Sequence, residues 1–304
     1  MKKRIYIPVI SLVLCLALFV GLVPSVQAGN CAPIAESFEF ETFRGVSFGG
    51  RLPAVDPDGD ALSFEITTPP VKGSIQLNDD GSFVYTPREN KRGRDYFGFK
   101  VTDSEGNRSQ EATVIIKLRK CETAVKYADM AGHPGEYNAE MLAERGIFVG
   151  KMLGGSYFFE PEHTVSRGEF LSLCLSVTDA DILSGVVSTG FADDDDIGEA
   201  LKPFVATAVS CGVLTGGISD GGDRFGADEV ISRAEAMVLL DRCLYLNDVE
   251  HVSVDKSVPD WAVQSAANLY ACDIVSDVSG CDGALSRAEC ADMLANALNI
   301  LDKR

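Results

Sequence analysis

The sequence has one tryptophan, three histidines and, beyond its first two dozen residues, no apolar run long enough to span a bilayer. His133, His163 and His251 suggest no pairing with a nucleophile. There is no Gly-x-Ser-x-Gly elbow, no phosphate-binding glycine loop and no His-Glu-x-x-His. These absences argue against the commoner hydrolytic, nucleotide-dependent and metalloprotease chemistries. A glycosidase needs only two carboxylates, but no pair stands out among 45 acids. The chain reads as non-enzymatic, with no cofactor required for chemistry. Bases are scarce in one half. Residues 29–120 carry 14 acids and 12 bases, whereas residues 121–304 carry 31 acids and 12 bases. So acidic a surface repels phosphate backbones, which argues against nucleic acid as a partner. Nine cysteines include no CxxC pair and no histidine at zinc-finger spacing, so a zinc site is not expected.

The chain opens with Lys2, Lys3 and Arg4, then an apolar run from Ile5 to Val23, then small residues at Val26-Gln27-Ala28. That is the pattern of a secretory signal peptide over 1–28, leaving no membrane span after cleavage. An uncleaved anchor is the rival, because the run approaches spanning length. Export permits disulfides among the eight later cysteines. Cys31 and Cys121 bracket the first module, but a sandwich separates its poles by ~20 Å, against ~5.5 Å between bridged Cα atoms. That pair is not expected.

Residues 30–119 read as β-structure. Leu62, Phe64 and Ile66 alternate with polar residues, as do Ile75 and Leu77, Phe83 and Tyr85, and Phe97, Phe99 and Val101. Period two means one buried face and one wet face. Turn signals at Asp58-Gly59-Asp60, Asp79-Asp80-Gly81 and Glu105-Gly106-Asn107 separate the runs. The spacing predicts an antiparallel sandwich of about seven strands. Ala32-Pro33, Asp56-Pro57-Asp58-Gly59-Asp60, Gly73-Ser74-Ile75, Gly81-Ser82-Phe83-Val84-Tyr85-Thr86-Pro87 and Asp95-Tyr96-Phe97 resemble bacterial cadherin-like, immunoglobulin-like modules. The resemblance implies a spacer or adhesion unit. Asp56, Asp58 and Asp60 offer three carboxylates to Ca2+. Alternatively they form a tight turn, each bonding its own backbone. Few further ligands are identifiable, which favours the turn.

From residue 121 the chain repeats itself. Val165-Ser166-Arg167-Gly168-Glu169 recurs as Ile231-Ser232-Arg233-Ala234-Glu235 and as Leu285-Ser286-Arg287-Ala288-Glu289. Each copy precedes an apolar, helix-like run. Ser-x-x-Glu in that position is a capping box: the serine oxygen accepts from the third helical N–H, and the glutamate reaches back to the serine N–H. The pairs are Ser166 with Glu169, Ser232 with Glu235, and Ser286 with Glu289. The arginine has no such rationale, since a cation in the first turn faces the positive end of the dipole. It either buttresses a neighbouring acid or binds an anion. Upstream of each box lies another helix-like segment, over 137–145, 201–211 and 261–272. The first two lead into Gly146-Ile147-Phe148-Val149-Gly150 and Gly212-Val213-Leu214-Thr215-Gly216, the third into Asp273-Ile274-Val275-Ser276-Asp277. Glycine just past a helix suits a left-handed C-cap. The acidic run Asp193 to Asp196 reads as a solvated loop.

This layout is similar to the S-layer homology repeat. The aromatic-Ala-Asp opening is present as Tyr127-Ala128-Asp129 and Phe191-Ala192-Asp193, and the Phe step as Phe159-Glu160-Pro161 and Phe225-Gly226-Ala227. Repeats are placed at 121–180, 188–247 and 253–302. The resemblance implies an all-α, pseudo-threefold assembly. It implies grooves that bind an anionic secondary cell-wall polysaccharide linked to peptidoglycan, typically through a ketal-pyruvylated sugar. It carries the ligand role onto Arg167, Arg233 and Arg287, onto Gly146, Gly150, Gly212 and Gly216, and onto Trp261. A lone Trp is more often core, and that is the preferred reading of Trp261. Asp273 and Asp277 replace both loop glycines of the third copy and should repel an anionic sugar there. The whole reads as a multidomain protein, β-sandwich then helical assembly, exported to a bacterial cell wall.

Overall fold

A computed structural model describes residues 30–215, 224–250 and 256–303. The signal peptide, Gly216 and His251 lie outside them.

The first module is built from β1 (Ile34–Ala35), β2 (Phe38–Phe43), β3 (Phe48–Arg51), β4 (Ala54–Val55), β5 (Ser63–Thr68), β6 (Gly73–Leu77), β7 (Ser82–Pro87), β8 (Gly93–Thr102) and β9 (Ala112–Arg119). One sheet has the order β2-β9-β8-β5 and faces a second of order β3-β7-β6, while β1 pairs with β4. The alternating residues do what their period dictates. Phe97, Phe99 and Val101 of β8, Val114 and Ile116 of β9, and Phe83 and Tyr85 of β7 are all buried between the sheets. Two features differ from expectation. There are nine strands, two of them very short, and β2 runs parallel to β9. A sandwich whose first long strand lies beside its last in the same direction must enter and leave at opposite poles. Asp58 accordingly lies beside Cys31 at one end, and Glu140 beside Cys121 at the other.

The second half carries α1 (Glu136–Glu144), β10 (Lys151–Leu153), β11 (Ser156–Phe158), α2 (Arg167–Val177), a 3-10 turn (Asp194–Asp196), α3 (Lys202–Ser210), α4 (Arg233–Leu244), α5 (Val263–Ala271) and α6 (Arg287–Leu301). It is helical, but not all-α: the β10–β11 hairpin, turning at Gly154 and Gly155 with φ of +59° and +86°, interrupts the first helical unit. The longer helix of each pair begins at a repeated Ser-Arg segment, and these segments close a ring. Val165 N–H donates to Leu285 O, Leu285 N–H to Ile231 O, and Ile231 N–H to Val165 O, all at 3.0 Å. A second ring runs from Arg167 N–H to Glu229 O, Arg233 N–H to Gly283 O, and Arg287 N–H to His163 O. A third runs from Gly168 to Ala227, Ala234 to Cys281, and Ala288 to Pro161. These N–H groups belong to the first turn and its approach, which lack partners within their own helix. Each unit supplies them to a neighbour, so one unit alone would leave them orphaned. The threefold relation is thus written into the main chain.

The two halves are joined by more than a linker. Phe43 and Val46 of the sandwich belong to the same buried cluster as α1 and α2. Ser47 N–H donates to Glu136 Oε2 at 2.9 Å, Tyr137 N–H to Ser47 O, and Gly49 N–H to Pro134 O. Arg119 bonds Glu41 and Glu144, each at 2.9 Å, and lies 4.2 Å over the Phe43 ring.

Candidate functional site

Each seam between helical units receives one repeated arginine. The serine cap starts the helix, so the next residue points outward from its first turn, across the seam. Arg167 donates to Glu235 Oε1 at 2.6 Å and to Phe225 O at 2.8 Å. Arg233 donates through Nε and Nη2 to Glu289 Oε1, at 2.8 and 2.5 Å, and to Gly280 O at 3.1 Å. In both, the acceptor is the capping-box glutamate of the next unit. Those glutamates also close their own boxes: Ser232 N–H donates to Glu235 Oε2 and Ser286 N–H to Glu289 Oε2, each at 2.9 Å. One carboxylate thus caps its helix with one oxygen and holds a neighbour's guanidinium with the other. Arg167 and Arg233 are buttresses of the assembly.

The third seam departs from this rule. By the same rotation Arg287 should meet Glu169. It donates instead to Glu160 Oε2 at 3.3 Å. Its guanidinium lies 4.9 Å from the Phe148 ring centre and 5.2 Å from that of Phe159. Its side chain is only 6% exposed, and its buried Nε has no hydrogen-bond partner. The first box is half-made to match. Ser166 accepts from Glu169 N–H at 3.2 Å, but the reciprocal bond formed in the other two units is missing, and Glu169 is exposed. Glu160 also receives Lys151 of β10 at 2.9 Å. Lys151, and then Arg287 and His163, hold its carboxyl below the usual range.

The loop glycines serve two purposes. Gly146 and Gly212 take φ of +67° and +75°, the left-handed C-cap anticipated from sequence. In the third unit Asp273 adopts the same conformation at φ +57°, a strain that glycine avoids. Gly150 is different: a Cβ there would lie 2.1 Å from Phe158 O, so it is needed for close approach to the hairpin. Trp261 is 60% exposed, which corrects its assignment to the core. The acidic run is corrected at Asp193 and Asp194, while Asp195 and Asp196 are exposed as expected. Asp193 is buried and accepts from Phe225 and Gly226 N–H at 2.9 and 2.8 Å, and Asp194 pairs with Lys202 at 2.9 Å. Asp129 plays the role of Asp193 in the first unit, accepting from Phe159 and Glu160 N–H. The aromatic-Ala-Asp motif is therefore a loop clamp.

A second cluster sits on the sandwich. Asp56, Asp60 and Asp103 each bring one carboxylate oxygen within 4.8 Å of the others. Asp58 is not among them; it accepts from Cys31 N–H at 2.6 Å. Asp56 Oδ1 accepts from Asp58 and Asp60 N–H, the turn expected from the sequence, but its buried Oδ2 has no partner. Burial alone would raise the Asp103 carboxyl. Hydrogen bonds from Asn107 and from the N–H groups of Glu105 and Gly106 outweigh it and hold the group below its ordinary value. Asp103 lies 43 residues from Asp60, and the pairing of β5 with β8 is what brings them together. The donors are hard oxygens, one of them orphaned, which suits Ca2+.

Residues 30–120 match the bacterial cadherin-like domain. No curated protein matches the chain. Among solved structures, 31% of the chain resembles 14% of an endo-fucoidan hydrolase, MfFcnA4 of glycoside hydrolase family 107, at 22% identity and a TM-score of 0.26. It resembles human protocadherin-24 EC1-2 over 29% of this chain and 44% of that one, at 18% identity and a TM-score of 0.24. It resembles the SrpA adhesin of Streptococcus sanguinis over 38% and 76%, at 20% identity and a TM-score of 0.25. Each likeness is confined to a fragment, and this chain spans about a seventh of the length of the fucoidan hydrolase. The cadherin-like domain is compatible with a cell-surface adhesion module. Among the described residues no helix is long and apolar enough to cross a membrane.

Proposed function

We propose that this is an exported, non-enzymatic surface protein. Three S-layer-homology-like repeats over 121–302 hold an anionic secondary wall polysaccharide, and the cadherin-like domain is displayed beyond them as a spacer or adhesion unit. The observation that carries this reading is the closed ring of backbone hydrogen bonds at Val165, Ile231 and Leu285. It makes three seams of like backbone from three copies of one motif, each with an arginine on one side and a loop on the other. In a half with 31 acids and 12 bases, the seam where Arg287 and Lys151 meet offers an anionic polymer a place to bind. The mature full-length chain should co-sediment with wall sacculi and lose that association once the polymer is extracted. Equal binding to bare peptidoglycan would refute the polymer as the partner.

A calcium site on the cadherin-like domain is the second reading. The unbonded, buried Asp56 Oδ2 beside Asp60 and Asp103 favours it. Calcium there would tie the β4–β5 turn to the β8–β9 turn. Melting of the mature chain with and without calcium tests it.

A further inference from the structure

The three seams are alike in backbone and unlike in charge. Between the first and second units, one cation, Arg167, faces two carboxylates, Glu235 at 2.6 Å and Glu229 at 3.9 Å. Between the second and third, Arg233 is matched one to one by Glu289. Between the third and first, Arg287 and Lys151 share the single carboxylate of Glu160, and both cations reach its Oε2. Among the described residues, that seam alone sets two of its cations on one carboxylate. It also keeps a guanidinium that is buried, flanked by two aromatic rings and short of one hydrogen bond at Nε. Its loop is Gly146 to Gly150, whereas the loop on the seam of Arg233 carries Asp273 and Asp277.

We infer that the seam between the third and first units is the anion-binding seam of this chain, with Lys151 of the β10–β11 hairpin as its second cation and Glu160 as a built-in occupant that an acidic ligand displaces. The inference rests on the wall-polymer reading and adds which seam binds, through what, and against what competitor. The ligand group is a carboxylate or similarly small anion on a sugar, because it must fit where a glutamate carboxylate now sits. Lys151 is not part of the repeated motif. It comes from the hairpin that interrupts the first unit, and among the described residues neither of the other seams has a second cation on its arginine's carboxylate. The site is reached from outside: the side chains of Lys151 and Glu160 are 58% and 36% exposed, and behind them lies the buried Arg287. The other two guanidiniums are tied to glutamates that also cap helices, so displacing those would unmake a box.

Both key residues lie at the surface, so their charges can be removed without opening the core. The experiment is calorimetric titration of the mature full-length protein with wall polymer released from peptidoglycan, for the parent, Lys151→Gln and Glu160→Gln. Removing one facing charge at about 4 Å in a wet site is worth about fivefold in affinity. Lys151→Gln should therefore bind about fivefold more weakly, and Glu160→Gln about fivefold more tightly, with one polymer site per chain. Lys151→Gln should melt close to the parent, and Glu160→Gln lower, because it leaves the buried Arg287 an amide oxygen in place of a carboxylate. A gain on removing a carboxylate is a result that a purely structural Glu160 would not give. If the parent binds polymer but neither variant changes its affinity, the seam assignment is overturned while wall anchoring stands. If the parent binds no polymer, wall anchoring itself fails, and the inference with it.

Discussion

Changing Glu140 to glutamine should stabilise the protein above neutral pH and change it little near pH 5. Glu140 sits in the middle of α1, is 2% exposed, and has a buried Oε2 with no hydrogen-bond partner. Burial first, and then the charges of Glu136 and Glu144 against the opposing pull of Lys126, push its carboxyl up to about 7 from an ordinary 4.5. The unfolded chain gives up this proton at the ordinary value and the folded chain near 7. Between those two values the folded state binds more protons, so stability falls as pH rises through the window. At about 1.4 kcal/mol per unit, the loss accumulates to ~3 kcal/mol above pH 7. Glutamine carries no charge to desolvate, but an unmatched amide donor costs ~1 kcal/mol in return, leaving a net gain of ~2 kcal/mol at pH 8. Urea unfolding of the mature chain at pH 5, 6, 7 and 8 reads this directly. A parent-minus-variant difference that stays flat from pH 5 to 8 would refute the reasoning, whatever the absolute stabilities.

Calcium at a hundred times its dissociation constant should stabilise the mature chain by ~2.7 kcal/mol if it binds at Asp56, Asp60 and Asp103. Asp103→Asn should abolish that calcium dependence, and an unchanged melting temperature of the parent in millimolar calcium would exclude the site. The capping boxes should separate by mutation. Ser232→Ala removes an oxygen from a closed box and should cost ~1–2 kcal/mol, whereas Ser166→Ala acts on a box that is only half-made and should cost ~0.5–1 kcal/mol. Equal losses in thermal or denaturant unfolding would contradict the difference in geometry.

The sandwich was legible because period two is a local signal. Phe97, Phe99 and Val101 announce a buried face within five residues, and Asp79-Asp80-Gly81 announces a turn in three. The parallel β2–β9 pairing was not legible, because nothing within a strand reveals its partner. The helical units were legible through their repeated capping segment, and the observed helices begin one residue after each serine. The rings joining those segments lay beyond reach, since a main-chain N–H looks the same whether it meets water or Leu285 O. The site was half-legible. Whether Arg167 and Arg233 buttress a neighbouring acid was open in the sequence, and their distances to Glu235 and Glu289 show that they do. Asp56 and Asp60 were visible together in the sequence, but Asp103 is brought to them by strand pairing. Trp261 misled, because large apolar side chains are usually buried and this one is not. Lys151 carried no signal at all: a lysine before Met152, in a hairpin whose two-glycine turn went unread.

The joint at Ser47, Tyr137 and Arg119 gives the molecule a mechanical character. A bead on a slack tether would swivel, and a tug on it would be spent straightening the tether. Here the sandwich shares Phe43 and Val46 with the helical core, and its strands β2 and β9 end against α1. A load applied at the far pole, where Asp56 and Asp103 lie, must pass along those strands into the helix that carries Glu136, Glu140 and Glu144. A pull on the sandwich is then carried directly into α1 rather than spent on a linker.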